Sequence, residues 1–249
     1  MNKYKKATRL IFVAVIFLIS IACSLINPLT AEKNPTAPPL PYPTNWKLLL
    51  ADNFSDNNND WGSIVTEDEA GSISSKVENG LLDVTLKSKE QGTRNSVFQS
   101  KITDLKDFFI SFEAEQKDLE NDAYYGLEFR TINLQGYVFM IDQKKSQYSL
   151  AYIDTKWNPI IDVTTSMAIN SEKPNKIGLL INGSKITMFI NDQEIAKISD
   201  SRSENSGTFG FTVGLYNPNK KVNVSFDNLQ IFGPSSTSMP PTPTGPPPI

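Results

Sequence analysis

The segment L-L-I-N-G-S-K-I-T-M-F-I-N-D-Q-E-I-A-K-I, Leu179–Ile198, decides the fold. Asn182-Gly183 and Asn191-Asp192 separate three short apolar runs. Asn-Gly readily takes the positive φ angles of a tight hairpin turn. Runs too short for helices, joined by such turns, predict a three-stranded antiparallel meander.

The same period of two continues outward in both directions. Leu82, Val84 and Leu86 share one face of a strand, and Asp83, Thr85 and Lys87 share the other. Phe108, Ile110 and Phe112 stand opposite Ser111, Glu113 and Glu115. Phe209, Phe211, Val213 and Leu215 alternate with Gly210, Thr212 and Gly214. Such alternation marks strands with one face in a core, and many short strands of this kind predict a sandwich or barrel. No long stretch carries helical spacing and caps. In K-V-N-V-S-F-D-N-L-Q-I-F, Lys221–Phe232, the apolar phase slips from Val222, Val224 and Phe226 to Leu229 and Ile231. One extra residue near Asp227-Asn228 predicts a β-bulge.

The ends of the chain have a different character. Lys3, Lys5, Lys6 and Arg9 precede an apolar run, Leu10–Cys23, which reads as a secretory signal over residues 1–22. The tetrad S-I-A-C, Ser20–Cys23, resembles a bacterial lipobox, although Ser20 stands where an aliphatic residue is usual. That resemblance implies a lipoprotein whose first mature residue is a lipidated Cys23. The plainer alternative is an uncleaved signal anchor, since Leu10–Ile26 is almost long enough to span a bilayer. Both readings place the protein outside the cytoplasm, held at the cell membrane. Residues 23–45 then form a spacer whose prolines favour extended polyproline II structure, and residues 234–249 a disordered tail rich in Pro, Thr and Ser. One folded unit is expected over residues 46–233.

Charge and composition exclude several chemistries. Without the four basic residues of the leader, the 24 basic against 27 acidic residues become 20 against 27, a net charge of −7. That balance excludes a phosphate-backbone binder, so no nucleic-acid partner is expected. The chain has no histidine. A His-based triad, a His-ligated zinc and imidazole acid–base work are all excluded. The single cysteine is Cys23, so no disulfide braces the domain. Carboxylates remain, and glycoside hydrolysis is the reaction they could serve.

Taken in order, L-A-D-N-F-S-D-N-N-N-D-W-G (Leu50–Gly62), Y-Y-G-L-E-F-R (Tyr124–Arg130), G-Y-V-F-M-I-D (Gly136–Asp142), the two hairpins and V-S-F-D-N-L-Q-I-F (Val224–Phe232) resemble a known family. It is the concanavalin A-like jelly roll, and more narrowly the bacterial extracellular domains related to family 16 glycoside hydrolases and 3-keto-disaccharide hydrolases. The resemblance implies an all-β fold, an antiparallel two-sheet β-sandwich, with sugars bound across a concave sheet. It places the first strand beside the last, makes Phe54 and Trp61 core residues, and makes Asp56–Asp60 a turn.

The acidic loop also invites a metal. Against the helical calcium-loop pattern, Asp56, Asn58, Asp60 and Glu67 fall on ligand positions, but Trp61 occupies the position that needs glycine. A sandwich-type structural calcium, as many jelly rolls hold, would instead gather Asp52, Asp56 and Asp227. No cofactor is required by this reading.

For ligand binding, Glu128 and Arg130 are expected on one polar face of their strand, with Arg130 forking to sugar hydroxyls or a carboxylate. The plainer alternative is a cross-strand ion pair. Tyr124, Tyr137, Tyr152 and Trp157 are candidates for stacking on sugars, Tyr137 with a competing claim as core and Trp157 beside a turn. The family's catalytic pattern, E-x-D-x-E or E-x-D-x-x-E, is missing, and Glu113 and Glu115 offer no third partner. The leading expectation is therefore a non-catalytic carbohydrate-binding, lectin-like module for extracellular glycan or polysaccharide. A glycosidase or keto-disaccharide hydrolase using Glu128 is the second reading. A structural or protein-interaction surface module is the third.

Overall fold

A computed structural model describes residues 41–61 and 65–234. The leader, the lipobox with Cys23, and the tail beyond Pro234 lie outside the described residues. Fifteen strands form two sheets, and no helix occurs among the described residues. They are β1 (Lys47–Asp52), β2 (Val65–Glu67), β3 (Gly71–Glu78), β4 (Leu81–Ser88), β5 (Arg94–Phe98), β6 (Phe108–Gln116), β7 (Ala123–Ile132), β8 (Gln135–Asp142), β9 (Gln147–Ile153), β10 (Trp157–Thr165), β11 (Asn175–Asn182), β12 (Lys185–Ile190), β13 (Gln193–Ser199), β14 (Thr208–Leu215) and β15 (Lys221–Gly233).

The nine-stranded sheet runs β13-β12-β11-β6-β15-β4-β3-β2, with β1 added to β15, and the six-stranded sheet runs β10-β9-β8-β7-β14-β5. All pairings are antiparallel. The meander predicted from Leu179–Ile198 is β11-β12-β13. Its first turn has Gly183 at φ 56°, and its second has Asn191 at 51° and Asp192 at 63°, the left-handed geometry that two-residue hairpins require.

The core lies between the sheets and is strongly aromatic. Phe211 stacks on Phe226 at 4.3 Å and on Trp61 at 5.1 Å, and meets Phe112 edge-on at 5.0 Å. Each of these four rings is essentially buried. Burying an aromatic of this size stabilises by roughly 1.5–3 kcal/mol. A core of this kind lets a chain without disulfides hold a sandwich.

The predicted β-bulge is present, and it has a purpose. Residues 221–226 of β15 pair with β4, whereas residues 229–233 pair with β1. The register slips between Asp227 and Gln230, with Asn228 at φ 51°. The slip lets one long strand change neighbours while both halves keep their apolar side chains in the core. As expected, the first strand lies beside the last.

The folded unit also begins earlier than expected. Tyr42, inside the proline-rich stretch, stacks on Phe232 at 4.4 Å and on Phe109 at 5.0 Å. Phe109 and Phe232 are register partners on the outer face of the nine-stranded sheet. Tyr42 is thus docked on the sandwich.

Candidate functional site

The acidic loop that opens the domain is built as a turn. Asp52 Oδ1 accepts the Phe54 amide at 2.8 Å, and Asp56 Oδ1 accepts the Asn58 amide at 2.9 Å. Asn57 Oδ1 accepts the Trp61 amide at 3.0 Å. Short polar side chains here bond backbone a few residues on, which is what turns ask of Asn and Asp. Asp52 Oδ2 then takes the Trp61 indole N–H at 2.7 Å and the Asn59 amide at 2.9 Å. Asp52 therefore anchors Trp61 in the core.

This arrangement does not fit a calcium ion. A calcium shell needs six to eight oxygens facing inward. The Asp52 carboxylate instead faces N–H donors, and Asp56 holds Asn58 through both oxygens. Asp227 bonds the Asn228 amide at 2.6 Å. Burial raises the Asp227 pKa, the Asn228 amide opposes this, and the nearby charges of Glu113 and Asp52 raise it further. Asp227 and Asp52 are close enough to repel, yet among the described residues no group of three or more acidic, His or Cys side chains could hold a metal.

Strand β7 departs from its expected phase after Phe129. Arg130 has φ 50°, and pairing with both β8 and β14 shifts register there. The expected shared face of Glu128 and Arg130 is thereby undone, because the reversal turns Arg130 inward to 0% exposure. Its guanidinium donates to Lys106 O at 2.9 and 2.7 Å and to Ser203 O at 2.9 Å, with Asp107 at 3.3 Å. Tyr137 is also interior. It stacks on Phe129 at 5.2 Å, donates to Asp200 Oδ1 at 2.7 Å and accepts the Ser203 amide at 3.1 Å. Arg130 and Tyr137 thus grip Ser203 from its carbonyl and its amide, and neither side chain is free to meet a sugar.

Glu128 does stand on the outer face of the six-stranded sheet, but it is occupied. Its Oε1 accepts Ser96 Oγ at 2.6 Å and pairs with Arg94, both from β5 across β14. The positions of β7 that share this face are Tyr124, Gly126 and Glu128, so the strand offers one carboxylate where a double-displacement glycosidase needs two about 5 Å apart. Glu113 and Glu115 lie on β6, in the other sheet.

The open part of the face lies farther along. Tyr124, Val138 and Met140, with Ile153 against them, form an apolar cluster separate from the core. Tyr124 and Met140 of this cluster line a cleft of about 390 Å³ bordered by Trp157, Pro159, Ile161, Asp162, Val163, Ser149, Tyr216 and Gly92. Pro159 is tolerated because β10 is an edge strand. Trp157 is 47% exposed. Tyr124 and Tyr216 meet at 5.2 Å, and Lys145 Nζ lies 4.6 Å from the centre of the Tyr216 ring. Burial raises the pKa of both tyrosines, so both are neutral donors and acceptors at neutral pH. Gly214 makes this floor: a Cβ there would come within 2.1 Å of the Tyr124 ring. Tyr152, also a candidate, sits on the opposite face of its strand and meets Tyr137 at 5.1 Å.

Of the expected ligand residues, then, Trp157 and Tyr124 line the cleft, Glu128 is on the same sheet face but already paired, and Arg130 and Tyr137 are interior and bonded. Sequence reasoning missed Tyr216, Asp162, Met140 and Arg94. The alternation of Phe209–Leu215 against Gly210, Thr212 and Gly214 was the available signal, because it marks where ring side chains can lie flat on the sheet.

No family model and no curated protein matches the sequence. Solved structures do match the fold. The κ-carrageenase from Pseudoalteromonas carrageenovora, in complex with an oligotetrasaccharide of κ-carrageenan, aligns with TM-score 0.55 at 12% identity over 78% of this chain and 98% of its own. The laminarinase from Flavobacterium sp. UMI-01 aligns with TM-score 0.55 at 14% identity over 75% of this chain and 100% of its own. A looser likeness, with TM-score 0.44 at 16% identity over 76% of this chain and 96% of its own, is to the carbohydrate binding module CBM66 from Bacillus subtilis. The fold is an all-β antiparallel two-sheet sandwich of the jelly-roll type that these enzymes have.

Proposed function

We propose that this protein is an exported, membrane-anchored lipoprotein whose β-sandwich binds glycan without cleaving it. The observation that carries the reading is the cleft on the six-stranded sheet, where Trp157 stands half-exposed at the border and Tyr124 and Tyr216 lie beneath. Pyranose rings present C–H faces that pack on such aromatic surfaces, while Ser149 and the tyrosine hydroxyls supply hydrogen-bonding groups. The fold supports a carbohydrate role, since its solved neighbours include enzymes that act on polysaccharide. A non-catalytic role is supported by the pairing of Glu128 with Arg94 and Ser96 and by the single carboxylate on β7. The anchor rests on the leader and Cys23.

Titration of Trp157→Ala against the oligosaccharide that binds the native protein tests this reading. Loss of about 2 kcal/mol, roughly thirtyfold in Kd, is expected with folding intact. Unchanged affinity would remove the cleft as the site. Release of reducing ends from any bound oligosaccharide would overturn the non-catalytic part.

A further inference from the structure

The charge around the cleft is arranged asymmetrically. Among the described residues lining it there is no lysine or arginine. Of those nearby, Lys156 is exposed in the connection before Trp157 but does not line the cleft, and two others are engaged. Arg94 pairs with Glu128, and Lys145 pairs with Asp122 and Asp142 while capping the Tyr216 ring. Asp162 is different: it is exposed, it lines the cleft, and its carboxylate has no partner among the described residues. The chain outside the leader is acidic as well. A ligand entering this cleft meets one unbalanced negative charge and no positive one among the lining residues. Like charge brought close without a counterion is unfavourable and slows association, and repulsion of this kind is an efficient way to reject a wrong partner.

We propose that the cleft selects glycans without anionic groups, and that Asp162 is the residue that rejects sulfated and uronate-bearing chains. This rests on the glycan-binding reading above and narrows it to a substrate class. Neutral hexose polymers stack on the aromatic floor without electrostatic cost. Amino sugars gain from the carboxylate. A sulfate or carboxylate at the Asp162 position is repelled, and no cation lines the cleft to compensate.

The test is calorimetric titration of the protein with three probes of equal length: a β-glucan oligosaccharide, a chitosan oligosaccharide and a κ-carrageenan oligosaccharide. The native protein should bind at least one of the first two, and the sulfated chain at least tenfold more weakly. Asp162→Asn should leave neutral binding unchanged and narrow that gap severalfold, most clearly at low salt, where surface charge is least screened. Sulfated binding equal to neutral binding, or a gap indifferent to Asp162→Asn, would overturn this proposal while leaving glycan binding standing. Failure of every glycan to bind the folded protein would overturn both.

Discussion

Trp157 and Gly214 contribute to the cleft in opposite ways, one by presenting a side chain and the other by lacking one. A methyl group at residue 214 would drive into the Tyr124 ring. Gly214→Ala should therefore tilt Tyr124 out of the floor, weaken glycan binding and cost about 1–3 kcal/mol of stability, measured by urea denaturation. An unaltered affinity would show that the floor does not touch ligand. On the other sheet, Asp227 sits where burial and the charges of Glu113 and Asp52 hold its pKa above the ordinary value. The sign follows directly. A carboxyl whose folded pKa is raised costs stability when ionised; that cost is absent below the unfolded value of about 3.9 and complete above the folded one. Asp227→Asn should therefore raise Tm at pH 7, and the gain should vanish as pH falls toward 3. A calcium held by Asp52 and Asp227 would give the reverse, a loss of Tm at pH 7 in calcium that chelator reproduces in the native protein.

At the scale of the element, the difference between what was legible and what was not is physical. The β11-β12-β13 meander could be read because its turns need residues that tolerate positive φ, and Asn, Asp and Gly advertise that need. The bulge in β15 could be read because the apolar phase changed on either side of it. The reversal at Arg130 could not. A positive φ at arginine inside a strand leaves no trace in composition or period, and period two then assigns the side chain to the wrong face. The carbonyls that hold it belong to Lys106 and Ser203, far off in sequence. This sets a clear expectation for Arg130→Lys. Lysine lacks the rigid fork that serves both carbonyls, and a buried acceptor left unsatisfied costs about 1–3 kcal/mol. Stability should fall by at least that amount, with glycan affinity of the folded protein unchanged. Weakened binding at full stability would return Arg130 to the list of ligand contacts.

At the scale of the molecule, the fold was readable from segments, and the site was not. The sandwich follows from many strands that each state their own face. The cleft is assembled from Trp157, Pro159, Ile161, Asp162 and Val163 of β10 and from residues as distant as Gly92, Tyr124, Met140 and Tyr216, which no local pattern connects. Trp157 gave a hint through its place beside a turn, and Tyr124 as a candidate aromatic; both line the cleft. The two outer faces also differ in use. The outer face of the nine-stranded sheet receives Tyr42 from the spacer, against Phe109 and Phe232, while the cleft opens on the other sheet. Tyr42 and the cleft thus occupy separate sheets. The measurement that tests the central claim most directly is a glycan array probed with the folded protein spanning residues 41–234, native and Trp157→Ala side by side. The account predicts specific signal on glycans lacking acidic groups, lost in Trp157→Ala. A blank array from protein with a cooperative unfolding transition, or a signal indifferent to Trp157, would contradict it and favour a protein-binding surface module instead.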